Sequence, residues 1–252
     1  MYYAIGLCIF NSFLQGDLFI IQLYLKIIWV KRTVELINVK AYRITHIENI
    51  PHILLNGITH KDSRNRNPEY REIGDICLIN TRNERTVTVD NGNPEQVDGS
   101  VSIIPGHFIP FYFGVKMPML YVAQHGGNFV ENATPASDII YMACSVTGII
   151  AADFDFFFTD GHATDKLTSV YDRSKINELV RIIDWDAVKS SYWGGNENLN
   201  IKRKKQAEFL VRGDLSPELI IGFGCYDETA RNRLIKFGID NDKIKVIPKA
   251  YF

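Results

Sequence analysis

Cysteine is scarce and scattered in this chain, which has Cys8, Cys77, Cys144 and Cys225 in 252 residues. No two of them form a C-x-x-C pair. That argues against a zinc ribbon or a disulfide framework and fits a reducing compartment, so a cytoplasmic location is expected. A charge imbalance is lacking as well. The formal net charge is −1, so attraction to a polyanion has to come from local patches rather than the whole molecule. Glycine-rich phosphate loops are absent. His46, His52 and His60 do not have the His-Glu-x-x-His spacing of a zinc hydrolase, and no cysteine lies near them. Asp153, Asp155, Asp160 and His162 sit around a Phe-rich run in which Thr159-Asp160-Gly161 reads as a turn, so no metal is expected.

A long uninterrupted apolar run is also missing. Met1 to Val30 carries only Asp17 and Lys26 as charges, but Gly16 and Asp17 divide it. Each piece is shorter than the roughly 20 residues that span a bilayer. No basic residues precede the stretch and no small-residue cleavage site follows, so a secretory signal fits poorly. Three readings of residues 1–34 stay open: a misassigned start with translation beginning near Val34 or Leu36, a packed helix, or a membrane anchor. No stable membrane partner is expected.

What is present is an ordinary folding composition, 46% apolar and 23% charged, which excludes disorder over most of the length. With no internal repeat and no long linker, residues 35–252 read as one domain. Glu35 to Tyr42 reads as a strand. A helix from about His46 to Leu55 follows, with Thr45 as its cap, Glu48 completing a capping box, and Asn56-Gly57 ending it. Lys61 to Arg71 is a surface loop and Ile73 to Ile79 a short helix leading to Arg82. Thr86 to Val89 alternates like a strand, with a turn over Asp90 to Pro94. Phe108 to Phe113 is a core strand, and Pro118 starts a helix. Asp138 to Ala143, Phe154 to Phe158, Phe209 to Val211, Leu219 to Gly222 and Ile244 to Ile247 are further core elements. Lys175 to Ile183 and Asp227 to Phe237 are helical, and Tyr192 to Asn196 is an aromatic loop. Strands and helices mix without a regular βαβ repeat, which favours α+β over a doubly wound sheet.

The chemistry concentrates in Lys205-Gln206-Ala207-Glu208-Phe209-Leu210-Val211. A lone carboxylate opens a short apolar run there, directly behind Lys202-Arg203-Lys204-Lys205. Taken alone, Glu208 reads as a surface partner of Lys204 or Lys205 rather than as a catalytic group. Far upstream stands Tyr42-Arg43-Ile44-Thr45-His46-Ile47-Glu48-Asn49-Ile50. Between the two lie Ile109-Pro110-Phe111-Tyr112-Phe113, Met117-Pro118-Met119-Leu120-Tyr121 and Phe158-Thr159-Asp160-Gly161-His162-Ala163. These five segments, in this order, resemble the DarT family of bacterial toxins from about Val39 to the C-terminus. Lys116-Met117 stands where that pattern has Arg-Ser.

The resemblance implies a PARP-like ADP-ribosyltransferase fold of α+β class, with split antiparallel sheets and helices around an NAD cleft. It implies transfer of ADP-ribose from NAD, as substrate, to a base of single-stranded DNA. Thymine is the favoured acceptor; guanine, RNA or protein are alternatives, and a catalytically dead binding module is a further one. A macrodomain antitoxin of the DarG type is the implied partner. In that role Glu208 stabilises positive charge on the ribose as nicotinamide leaves. His46 hydrogen-bonds the ribose, and the backbone of Thr45 and Ile47 brackets the nicotinamide amide. Leu54 adds apolar contact and Tyr112 stacks on the nicotinamide ring. An arginine holds pyrophosphate or base carbonyls, with Arg82 preferred over Arg85. Lys202, Arg203, Lys204 and Lys205, with Tyr192 and Trp193 upstream, combine phosphate-binding charge with rings for unpaired bases.

Overall fold

A computed structural model describes residues 34–93, 95, 101–126, 130 and 132–252. The chain divides into Met1–Glu35 and Leu36–Phe252. The readings of the N-terminal extension fall on residues 1–33, outside the described residues.

Strand β1 spans Lys40–His46, after a 3-10 turn over Leu36–Asn38. It therefore starts later than its apolar lead-in predicts and runs four residues further. Thr45 is held in the sheet opposite Ile140, and its hydroxyl accepts from Asn49 Nδ2 at 3.0 Å, so it cannot cap a helix. The capping role passes to His46. Its Nδ1 accepts from the Glu48 N–H at 3.1 Å and closes a 3-10 turn over Ile47–Asn49. Helix α1, Ile50–Asn56, begins only then, with a proline in its first turn. Gly57, at φ +79°, ends it as expected, and a Cβ there would lie 1.9 Å from the Leu215 carbonyl oxygen.

Helix α2, Ile76–Glu84, starts on the Asp75 carboxylate, which accepts from the N–H groups of Cys77 and Leu78. Short strands β2 (Val87–Thr88) and β3 (Ser102–Ile103) pair as a separate small sheet. Strand β4 is Ile109–Tyr112, and α3, Pro118–His125, follows with its proline at the start. Strand β5, Ile139–Ser145, runs into α4, Val146–Ala151, capped by Ser145 Oγ. Then come β6 (Phe156–Thr159) and β7 (Val170–Tyr171). The helix expected over Lys175 to Ile183 is a 3-10 run, Arg173–Glu178, followed by a single turn, α5, Leu179–Ile182. Helices α6 (Trp185–Lys189) and α7 (Leu199–Lys205) precede β8, Glu208–Val211. The chain closes with β9 (Ile220–Cys225), α8 (Glu228–Lys236) and β10 (Ile244–Val246).

The large sheet has the order β10-β9-β5-β1-β4-β8-β6-β7. Every neighbouring pair is antiparallel except β9 with β10. Its weak point positions the site. β1 pairs with β5 along its whole length, from Lys40↔Ser145 to His46↔Ile139, but meets β4 only at Tyr42↔Tyr112. Beyond Tyr42 the two strands part, so the sheet is split, and Arg43 reaches across to the Pro110 carbonyl at 3.1 Å. Buried aromatics stiffen one half, with Phe156 stacked on Phe209 and Phe158 on Tyr171. The other half is tied by Tyr141, whose hydroxyl donates to the Ala250 carbonyl and accepts from the Lys116 N–H.

Candidate active site

A cavity of about 290 Å³ opens where β1 and β4 separate. Arg43, Ile44 and Thr45 from β1, Pro110 and Tyr112 from β4, and Leu78, Ile79 and Arg82 from α2 line it, with Met119 and His162. The loop over residues 58–74 forms much of the remaining wall, with His52 and Ile53 of α1, Gly106, Phe108 and Met142. Each end of that loop is fixed. Ile58 and Leu215 exchange backbone hydrogen bonds of 2.9 Å, and Asp214 accepts from the His60 N–H at 2.9 Å. At the other end the buried Asn49 donates to the Arg71 carbonyl and accepts from the Arg71 N–H, both at 2.8 Å.

Glu208 is 0% exposed at the first position of β8, directly opposite Tyr112. Its own N–H donates to Thr159 Oγ1, and its Oε1 accepts from the Ala163 N–H, each at 3.0 Å. Arg82 Nη1 donates to Oε1 at 3.0 Å and lies 2.8 Å from Oε2, off the line of a directed bond. Glu208 Oε2 and Arg82 Nη2 are both buried without a hydrogen-bond partner. Buried polar groups are almost always satisfied, so these two atoms have hydrogen-bonding capacity that a water or a ligand can take up. The surface-glutamate reading of Glu208 is thereby removed: its partner is Arg82, not Lys204 or Lys205.

The pair is held by local structure. Arg82 sits in the last turn of α2, against the turn over Pro105–His107. A Cβ on Gly106 would fall 2.8 Å from the Arg82 carbonyl oxygen, so only glycine permits that approach. Arg85 ends the same helix, donating its N–H to the Thr81 carbonyl, and is not part of the cavity wall. Burial raises the Tyr112 hydroxyl, and Glu208 adds to the rise, so the phenol stays protonated.

His162 is a cavity residue for which sequence reasoning gave no role, although it stands inside one of the five recognised segments. Burial lowers its imidazole below the ordinary value, against the pull of Glu208 and with help from Arg82. A neutral ring therefore faces the Glu208–Arg82 pair, its Nδ1 3.0 Å from Thr164 Oγ1. The backbone donor Ala163 was missed likewise, because backbone roles leave no residue-type signal.

Of the predicted cofactor residues, Thr45, Arg82 and Tyr112 line the cavity, and His46, Ile47 and Leu54 do not. Register nonetheless puts His46 on the same sheet face as Glu208. Tyr42, Ile44 and His46 alternate onto one side of β1, Tyr42 faces Tyr112, and Tyr112 faces Glu208. Burial lowers the His46 imidazole below its usual value, with Arg71 adding to the effect.

The basic string is corrected by its surroundings. On α7, Arg203 donates to Asp160 and Thr168, and Lys204 to Asp184. Lys205 is only 2% exposed and donates to the Val115 and Val188 carbonyls at 3.2 and 2.9 Å. It is a structural pin and not a phosphate ligand, because its helix turns it inward. Burial, with Lys116 adding like charge, pulls its ammonium down to about 8 from 10.5. A lysine depressed in the folded state is charged at a cost below that value. The cost disappears as pH climbs from about 8 towards 10.5. The unfolding free energy of the wild type, minus that of Lys205→Met, is therefore expected to rise across this window in urea titrations. A flat difference would contradict the buried-cation assignment.

Trp193 and Lys202 do come together, the ammonium 5.5 Å from the ring centroid. Tyr121 and Phe252 join them edge-on at 5.8 and 6.2 Å from Trp193. Tyr121 stacks on His125 at 4.2 Å, and Lys116 Nζ lies 5.0 Å over Phe252. Tyr121 is 43% exposed, two residues along α3 from the cavity residue Met119. None of these rings or cations is part of the cavity wall. Lys116, at φ +58° in the place expected for arginine, contributes through that cation–ring contact.

The split α+β sheet, with a buried carboxylate–arginine pair beside its cavity, fits the ADP-ribosyltransferase class that the resemblance implies. The family described as "DarT: ssDNA thymidine ADP-ribosyltransferase, DarT" matches residues 42–252, and the chain belongs to that family. A DNA ADP-ribosyl transferase of Escherichia coli O127:H6 (strain E2348/69 / EPEC) is 30% identical over 77% of this chain and 83% of its own length. A DNA ADP-ribosyl transferase–DNA ADP-ribosyl glycohydrolase fusion protein of Thermosipho africanus (strain H17ap60334) is 31% identical over 84% of this chain and 49% of its own length. The structure of Thermus sp. 2.9 DarT in complex with ADP-ribosylated ssDNA superposes with a TM-score of 0.72 at 25% identity, covering 88% of this chain and 100% of that one. The same protein in complex with NAD+ gives 0.65 at 24% identity, over 85% of this chain and 98% of that one, a likeness of fold.

Proposed function

We propose that this chain takes NAD as substrate, transfers its ADP-ribose to thymine in single-stranded DNA, and releases nicotinamide. The observation that carries the reading is the buried Glu208–Arg82 ion pair, in which Arg82 lines the cavity and Glu208 stands behind it on β8, outside the cavity wall. As the bond from the ribose carbon to the nicotinamide nitrogen breaks, its electron pair leaves with nicotinamide and the sugar gains oxocarbenium character. Glu208 stabilises that charge. The thymine N3 lone pair forms the new bond to the sugar, and Glu208 takes the N3 proton. The Arg82 guanidinium orients the carboxylate and favours negative charge on the thymine. Tyr112 stacks on the nicotinamide, and the backbone of Thr45 and Ile47 receives its amide. His46 donates to a ribose hydroxyl, and Leu54, outside the cavity wall, is left without a contact to the cofactor. An unpaired base costs little to bring into the cleft, because no stack has to be broken.

The DNA platform in this reading is Tyr192, Trp193 and Lys202, extended by Tyr121, His125 and Phe252. Trp193→Ala is expected to raise the KM for a single-stranded oligonucleotide about tenfold and leave the KM for NAD unchanged, because each stacked base contributes about 1–3 kcal/mol. Equal change in both constants would contradict the division of labour. One catalytic domain over residues 35–252 acts in the cytoplasm as the toxin of a toxin–antitoxin pair. A macrodomain antitoxin of the DarG type, which removes the mark, is the partner; the Thermosipho fusion, with both activities named in one chain, supports this. Among the described residues no helix is long and apolar enough to cross a membrane. Labelled NAD offered with separate DNA, RNA and protein pools tests the reading. Label is expected in single-stranded DNA, and label confined to RNA or protein would overturn it.

A further inference from the structure

We infer that Arg233, on the C-terminal helix α8, is a positioning residue for NAD that works through His46. The inference rests on the ribose-binding role proposed for that histidine. Its guanidinium forks: Nη1 pairs with Asp138 and Nη2 with Glu48, both very closely. The two carboxylates flank the end of β1. Asp138 immediately precedes Ile139, the residue opposite His46 in the sheet, and Glu48 lies in the turn that His46 caps. Arg233 thereby ties the strand end to the turn behind it. Leu234 and Ala230 on the same helix are buried, which fixes the origin of the side chain.

The chemical consequence lies in the imidazole. A backbone N–H can only donate, so the Glu48 N–H bonded to Nδ1 makes that nitrogen the acceptor. The neutral ring then carries its proton on Nε2, where it can donate to a hydroxyl. If Glu48 drifts, this bond is lost and the other tautomer becomes accessible. The charged groups around the ring are Arg71 from the cavity loop, Glu48 from the turn, Asp138 from the start of β5 and Arg233 from α8. Arg71 and Arg233 favour the neutral ring, and the two acids oppose it. Removing Arg233 leaves both acids without their shared cation, which moves the ring towards protonation.

A double-mutant cycle tests this. Arg233→Ala is expected to raise the KM for NAD about fivefold, in line with one lost hydrogen bond, with kcat and the KM for the oligonucleotide nearly unchanged. The acid limb of the NAD-binding profile is expected to move to higher pH. Arg233→Lys, which retains one of the two pairs, is expected to recover part of the effect. Glu48→Gln, which loosens the clamp but also removes an acid that opposes the neutral ring, is expected to raise the KM for NAD less than Arg233→Ala and not to move the acid limb to higher pH. On a His46→Asn background, Arg233→Ala is expected to add nothing. If His46→Asn raises the KM for NAD while Arg233→Ala leaves it alone, or adds in full, the positioning role is overturned and the proposed function stands. If His46→Asn itself has no effect on NAD, the role assigned to the histidine fails, and the clamp fails with it.

Discussion

Glu208→Gln is expected to cut the rate of ADP-ribose transfer by about a thousandfold and to leave NAD binding within a few-fold of wild type. Glutamine keeps the shape of the side chain. Its oxygen can still accept from the Ala163 N–H and from Arg82, the two donors to Glu208 Oε1, and the only local adjustment is between its NH2 and Arg82 Nη1, which is 2.8 Å from Oε2 in the wild type. What disappears is the negative charge beside the ribose and a group able to take the proton from the base. Because the geometry is preserved, the loss falls on the transition state and reads out in kcat. A variant retaining more than about a tenth of the wild-type rate would show that the carboxylate is not the stabilising group.

Arg82→Ala carries the second large effect, on folding as well as on rate. It leaves Glu208 buried with one backbone donor and no cation. Breaking a buried pair from one side costs about 3–5 kcal/mol, because an uncompensated charge remains. A clear drop in the urea midpoint is therefore expected, together with near-complete loss of transfer. Arg85→Ala is expected to keep both close to wild type, since that residue ends α2 outside the cavity wall. Adding Glu208→Gln to Arg82→Ala is expected to restore part of the lost stability while activity stays absent, because the stranded charge is then removed as well. Loss from Arg85→Ala equal to that from Arg82→Ala would leave the pairing without its assigned role.

These expectations also show what the sequence could carry. Glu208 at the mouth of an apolar strand was legible because β8 is short and begins at a lone acid after a polar run. Most strands were legible because their apolar runs are buried on both faces, as in Phe156–Thr159 and Phe209–Val211. The helix over the basic string was not. Leu199 and Ile201 are its only apolar residues, and its inward turn at Lys205 reveals which face is buried. A run of four cations gives no sign of the carbonyls and carboxylates that take up three of them. The Thr45 cap was misplaced for a related reason. A threonine before a helix reads as a cap unless a strand partner, here Ile140, holds its backbone extended. Tyr121, quoted within a segment, and Phe252 had no role assigned, because single aromatics have no pattern until the fold sets them beside Trp193.

Mass analysis of a thymine-containing single-stranded oligonucleotide, incubated with NAD and the wild-type chain, tests the central claim most directly. The predicted result is a gain of one ADP-ribose, localised by fragmentation to a thymine base, with nicotinamide released in equal amount and no gain when Glu208→Gln is used. An oligonucleotide that returns unmodified while NAD is consumed, or a gain that survives in Glu208→Gln, would contradict the account.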